Sequence, residues 1–143
     1  MVGEYMFTGE YSHSIDPKNR MFLPSSMREE MSEEVFVVKG VDECIAVYPK
    51  ESWEEFTEKL NSLPEMQARK VKRTLLASAI KTKIDSQGRI LISQAHKAYA
   101  GLDKNVCVIG VGNHIEIWDA DKWIAENDMN SEEMAETLMS LGF

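Results

Sequence analysis

Cysteine is scarce in this 143-residue chain, and Cys44 and Cys107 form no CxxC pair. No disulfide frame is implied, and a reduced, cytoplasmic setting is the expectation. Long apolar runs are missing as well. A run such as Val35-Phe36-Val37-Val38 falls far short of the roughly 20 residues that span a bilayer, and no charged-then-apolar signal segment opens the chain. No membrane partner is expected. The three histidines, His13, His96 and His114, stand at no metal-ligand spacing, and neither cysteine lies beside a clear base or helix start. GxGxxG and P-loop patterns are absent. These gaps argue against an enzyme, a metal centre, a bound cofactor and a small-molecule substrate. Adjacent carboxylates such as Glu54-Glu55 read as a hydrated helix face. Basic residues are the minority, 16 against 24 acidic ones for a net charge of −8, and global acidity ordinarily speaks against nucleic acid.

What is present is an ordinary globular composition, 43% hydrophobic and 28% charged, on a length that suits one domain or two small units sharing a core. It also contains a repeat. Ile15-Asp16-Pro17-Lys18-Asn19-Arg20-Met21-Phe22-Leu23 matches Ile84-Asp85-Ser86-Gln87-Gly88-Arg89-Ile90-Leu91-Ile92 at an offset of 69. Phe36-Val37-Val38, Ile45-Ala46-Val47-Tyr48 and Trp53 match Val106-Cys107-Val108, Ile115-Glu116-Ile117-Trp118 and Trp123 at an offset of 70.

Each half predicts strand, turn, strand, short helix, two strands and a helix. In the second half Ser93 is the expected N-cap of a helix over 93–100, with Gly101 as its stop. Strands are expected at Val106–Ile109 and Ile115–Trp118, joined by Gly110-Val111-Gly112-Asn113, with Gly40-Val41-Asp42-Glu43 as the counterpart. Between the halves, Ser52 and Glu55 have capping-box spacing ahead of a Trp53, Phe56, Leu60 stripe. Pro64 suits the first residue of a further helix, with Val71, Leu75 and Ala79 on one face. From Ser131 the tail repeats the pattern with Met134, Leu138 and Leu141. The expected division is a first repeat over 10–52, connecting helices over 53–80, a second repeat over 81–124 and a helical tail over 125–143. About 45 residues bury too little surface to stand alone, so the halves must complete one another as a pseudo-twofold barrel, with the two matching turns side by side.

Those turns have the form Asp-x-x-(Asn/Gly)-Arg: Asp16, Asn19 and Arg20, then Asp85, Gly88 and Arg89. Asp accepts backbone N–H groups across a tight turn, and Asn or Gly tolerates positive φ. The arginine opening the returning strand presents a planar fork of donors suited to phosphate or a guanine edge. Asp–Arg pairing that merely stabilises each turn is the plainer reading. Duplication in a pseudo-symmetric frame favours a function, because a stable turn needs no arginine twice. Charge is segregated too: 65–97 carries eight basic and two acidic residues, a net +6, whereas 28–58 and 116–143 each carry −7. With a Debye length of about 8 Å, a phosphate at the turns feels nearby cations far more than remote acids. The Arg69–Arg73 cluster is open between a solvated helix face and a DNA contact.

With Met6-Phe7-Thr8-Gly9-Glu10-Tyr11, Leu23-Pro24, Tyr48-Pro49 with Trp53, Leu75-Leu76 and Gly101-Leu102, these turns make the chain resemble the MraZ family of bacterial transcriptional regulators, built from two SpoVT-AbrB-like repeats. The resemblance covers nearly the whole chain. It implies a mainly β, α+β fold, a double-split, swapped-hairpin β-barrel of the AbrB/MazE/MraZ type. It also implies a ring-shaped homo-oligomer, nucleoid-associated in the cytoplasm, that binds double-stranded promoter DNA with direct repeats and controls the division and cell-wall operon, its own gene included. Carried over, Arg20 and Arg89 touch DNA, with Lys18, Lys81 and Lys83 as backbone contacts. Asn19 replaces the usual glycine of the first turn, Pro17 fixes φ after Asp16, and Gln87 stands where the first turn has Lys18. Met1–Tyr5 precede the usual family start. The alternative is a protein-interaction module, antitoxin-like or a scaffold, whose nine methionines line a groove.

Overall fold

Along strand β3 (Glu34–Lys39) the side chains alternate in direction, as the period of two in any strand requires. Val35 and Val37 enter one core while Phe36 and Val38 enter another. The same two-sidedness holds for β4 (Ile45–Pro49), β7 (Asn105–Gly110) and β8 (Ile115–Asp119). These four strands are apolar on both faces because both faces are covered. The computed structural model describes residues 5–143, so of the leading segment only Tyr5 falls within the described residues.

With β1 (Glu10–Ser14) and β5 (Ile80–Lys83), they form a six-stranded antiparallel sheet in the order β1-β7-β8-β4-β3-β5. Exchanging the two halves of the chain reverses this order and returns the same sheet. A pseudo-twofold axis therefore passes between β4 and β8. The first strand of each half is traded: β1 pairs with β7, and β5 with β3. The halves complete each other, as the short repeats demanded.

The closed barrel does not form. Strands β1 and β5 end the sheet as edges, and β2 (Arg20–Phe22) and β6 (Arg89–Leu91) pair only with each other as a separate two-stranded ribbon. Beyond the bond closing each turn, Asp16 N–H to the Arg20 carbonyl at 2.8 Å and its counterpart Asp85 to Arg89 at 2.9 Å, the arms diverge. This divergence lets the ribbon fold over the sheet and bury Met21 and Ile90 in the central core with Leu23 and Ile92.

The helices are α1 (Ser25–Arg28), α2 (Lys50–Ser62), α3 (Glu65–Ser78), α4 (Gln94–Ala100), α5 (Ala120–Glu126) and α6 (Ser131–Ser140). On the sheet face away from the ribbon, α2 and α3 cover the first half through Trp53, Phe56 and Leu75, with Ala79 at the C-cap of α3, and α5 covers the second through Trp123. The expected caps of α4 are in place: Ser93 Oγ accepts the His96 N–H at 3.1 Å, and Gly101 adopts φ +63°. The Ser52 cap is not. Pro49, with its fixed φ of −65°, ends β4 and starts α2 directly, which carries Ser52 a turn inward, where it is fully buried. Pro64 is the N-cap of α3 rather than its first residue. The buried face of that helix runs through Ala68 and Leu75, and Val71 is exposed.

Candidate nucleic-acid interface

The two repeated turns are built alike, atom for atom. In the first, the N–H groups of Lys18 and Arg20 both donate to Asp16 Oδ1 at 2.9 Å, and Arg20 Nε donates to Oδ2 at 2.9 Å. In the second, the N–H groups of Gln87 and Arg89 donate to Asp85 Oδ1 at 2.9 and 2.8 Å, and Arg89 Nε donates to Oδ2 at 2.8 Å. The backbone N–H of each arginine is the largest influence holding its aspartate below the usual carboxylate range, followed by the arginine side chain and the N–H two residues on from the aspartate. Asn19 and Gly88 take the positive φ the turn needs, +61° and +85°.

The aspartates thus occupy Nε of each guanidinium, and no hydrogen bond from the described residues takes the Nη atoms of Arg20 or Arg89. Asp–Arg pairing stabilises the turn and aims the free end of the arginine outward. The side chains retain 33% and 18% of their exposure. Ribbon pairing sets Arg20 opposite Leu91 and Phe22 opposite Arg89. Since Met21 and Ile90 point inward, the outward face is a two-by-two array of two arginines and two apolar side chains.

Each turn is braced by the other half of the chain. Arg28 Nη1 donates to the Gln87 carbonyl at 3.1 Å, and Lys97 Nζ donates to Asn19 Oδ1 at 2.9 Å. Arg28 and Lys97 stand 69 positions apart, the same offset as the turns, so the two braces are one feature repeated. The turn residues differ accordingly. A side chain at Gly88 would collide with the Arg28 guanidinium, whereas Asn19 uses its amide oxygen to receive the shorter-reaching Lys97.

Lys18 is exposed at the tip of the first turn. Lys81 and Lys83 are exposed on edge strand β5, with Lys81 Nζ 3.9 Å from Glu34. Their first-half counterparts are Ser12 and Ser14, so the two halves distribute positive charge differently: at the turn in one, along the strand before it in the other. The Arg69–Arg73 cluster lies on α3, which packs on the sheet face away from the ribbon. Sequence reasoning assigned no role to Arg28, Phe22 or Leu91, and counted Lys97 only as charge. The offset of 69 already pairs Phe22 with Leu91 and, extended past the turn, would have paired Arg28 with Lys97. Both cysteines are free and buried, and burial raises their thiols, Cys44 to about 12 and Cys107 to about 11. No helix among the described residues is long and apolar enough to cross a membrane.

A family model described as "MraZ protein, putative antitoxin-like" matches the chain twice, over residues 6–74 and 75–141. The chain belongs to the MraZ family. Three relatives carrying the name "Transcriptional regulator MraZ" match almost end to end. That of Finegoldia magna is 44% identical over 141 residues, 95% of this chain and 99% of that protein. That of Clostridium tetani is 43% identical over 141 residues, 96% of this chain and 99% of that protein. The Acetivibrio thermocellus protein is 42% identical over 142 residues, 96% of this chain and 99% of that protein. The double match of the MraZ model agrees with the internal duplication, and the strand exchange gives that duplication a structural reason: neither repeat owns a complete sheet.

Proposed function

We propose that this chain is a sequence-specific DNA-binding transcriptional regulator that meets promoter DNA with its paired Asp-x-x-x-Arg turns. One observation carries the reading: in both turns the aspartate holds Nε and leaves the Nη end of an outward-facing arginine free. Arg20 and Arg89 contact base edges or phosphates. Asp16 and Asp85 orient them, Asn19 and Gly88 permit the turn, and Lys18, Lys81 and Lys83 contact the backbone and set register. The names of the relatives support the same role. The repeats are taken as 10–52 and 81–124, and the exchanged first strands as an open form of the swapped-hairpin type. The family resemblance adds a ring-shaped homo-oligomer in the nucleoid that engages direct repeats upstream of the division and cell-wall operon. The acidic stretches over 28–58 and 116–143 disfavour random DNA. A reading as protein-interaction module draws on the uncovered apolar side chains of α6, Met134, Leu138 and Met139, and of Leu141 at its C-cap.

Gel shifts on the DNA upstream of the gene, against a scrambled duplex, separate the two readings. The Arg20→Ala/Arg89→Ala double variant is expected to lose about 1–3 kcal/mol per site that reads a base, with its circular dichroism and melting nearly unchanged. A folded double variant with unaltered promoter affinity removes the turns from the mechanism. In the same assay a duplex with three repeats is expected to bind about 100- to 10,000-fold more tightly than one repeat, through linkage within the assembly. Equal affinity for both contradicts the ring.

A further inference from the structure

Outward-facing apolar residues are common on protein surfaces and by themselves need no explanation. Phe22 and Leu91 are a more specific case. They remain 47% and 58% exposed, they occupy the same position in the two repeats, and they sit on a ribbon whose other two outward side chains are the arginines. Residues directly opposite in an antiparallel pair have Cβ atoms about 5 Å apart. Arg20 therefore starts beside Leu91, and Arg89 beside Phe22, with the Arg89 guanidinium carbon 5.9 Å from the centre of the Phe22 ring. The ribbon is about 10 Å long for three residues, and its strands lie about 4.8 Å apart. That fits a major groove about 12 Å wide, which admits a two-stranded ribbon.

Resting on the DNA-binding reading above, we infer that Phe22 and Leu91 are specificity-determining residues that contact thymine 5-methyl groups in the major groove, one or two base pairs from the position met by the neighbouring arginine. The thymine methyl is the apolar feature of that groove, and it distinguishes A·T from G·C pairs where a guanidinium end reads guanine. With successive base pairs about 3.4 Å apart, side chains starting about 5 Å apart reach neighbouring positions. A second copy of this face is a poorer occupant. A self-complementary contact would set the four guanidinium groups of two copies against one another, whereas duplex DNA supplies the negative charge that Arg20 and Arg89 lack. The pseudo-twofold axis through the ribbon gives each arginine one apolar neighbour, so the expected site contains the combination twice, in opposite orientations.

The test replaces thymines one at a time by deoxyuridine, which removes the 5-methyl alone, in a duplex from the DNA upstream of this chain's gene. Affinities of the full-length wild type, Phe22→Ala and Leu91→Ala are measured on each duplex, with melting and assembly mass as controls. Phe22→Leu, which keeps an apolar contact, stands in if the alanine variant does not fold. At one or more thymines the wild type is expected to lose about fourfold in affinity for the missing methyl, and the variant at the facing side chain is expected to be indifferent to that replacement. Alanine variants that bind like wild type overturn the inference. So do variants that weaken equally on thymine and deoxyuridine duplexes at every position. A folded variant whose assembly mass falls overturns it too, because the pair then covers a neighbouring copy. Binding that the arginine double variant abolishes but no deoxyuridine weakens sinks this inference alone, whereas a wild type without preference for the upstream DNA sinks the DNA-binding reading with it.

Discussion

At the scale of single residues, the carboxylate of each turn has two tasks, and its two oxygens divide them. Oδ1 gathers two backbone N–H groups and shapes the bend, while Oδ2 takes Nε and fixes the direction of the arginine. The positive-φ residue beside it is equally particular. Gly88→Ala places a Cβ at φ +85° and against the Arg28 guanidinium, so a loss of stability above about 1 kcal/mol is expected. Asn19→Ala meets φ +61° and loses the Lys97 contact without that collision. Chemical denaturation of both variants checks the order; a Gly88→Ala protein as stable as wild type contradicts the crowded second turn.

At the scale of elements, the ribbon is three residues per strand, too short to hold its own position, and the arms that lead to it come from opposite edges of the sheet. Met21 and Ile90 anchor it from below, and Arg28 and Lys97 clasp its turns from α1 and α4. Lys97→Met keeps the aliphatic stem and removes the donor. It is expected to lower promoter affinity several-fold with little change in melting temperature, because the contact is partly exposed. Since Lys97 also adds charge near the turn, the salt dependence of binding discriminates: an unchanged slope supports positioning, and a slope shallower by about one unit marks a direct phosphate contact.

Much at this scale was legible in the sequence. The short helix after the second turn could be placed because Ser93 and Gly101 mark its ends by local rules, and the strands at 106–109 and 115–118 because apolar runs flank a glycine-rich reversal. That the central strands are covered on both faces came only with the fold, since Val-Phe-Val-Val is apolar throughout and carries no period. Both turns followed from the repeat alone. The Ser52 cap failed because its spacing is local, while the start of α2 is dictated by Pro49 and by Trp53 seeking the outer core. Barrel closure failed because no residue pattern records whether two edge strands meet. The braces were hidden because Arg28 and Gln87 are 59 positions apart, and Arg28 lies in a stretch whose net charge is acidic.

At the scale of the whole molecule, burial sets the response to acid. His96 is buried with Nε2 donating to the Ser78 carbonyl at 2.7 Å, and burial lowers its affinity for a proton below the ordinary value of 6.5. Burial acts in the same direction on His13 and His114. Below pH 6.5 the unfolded chain takes up protons that the folded one refuses, so stability falls as the pH drops from 6.5 toward the lowered folded values. A second decline begins below about 3.8, where Asp16 and Asp85 lose the charge that their turns favour. His96→Gln, which preserves an N–H donor, is expected to flatten the first decline and leave the second. Melting temperature against pH for both proteins measures it; parallel curves from pH 7 to 5 exclude His96.

The near-twofold relation between the halves has a further meaning because it is imperfect. A perfectly symmetric face reads a stretch of helix identically in either direction and cannot tell upstream from downstream. Here one end of the ribbon carries Pro17-Lys18-Asn19 and the other Ser86-Gln87-Gly88, and only one side has lysines on the approaching strand. Such a face has polarity, like an arrow drawn on an otherwise reversible tile, and tiles of that kind can be laid head to tail along a track.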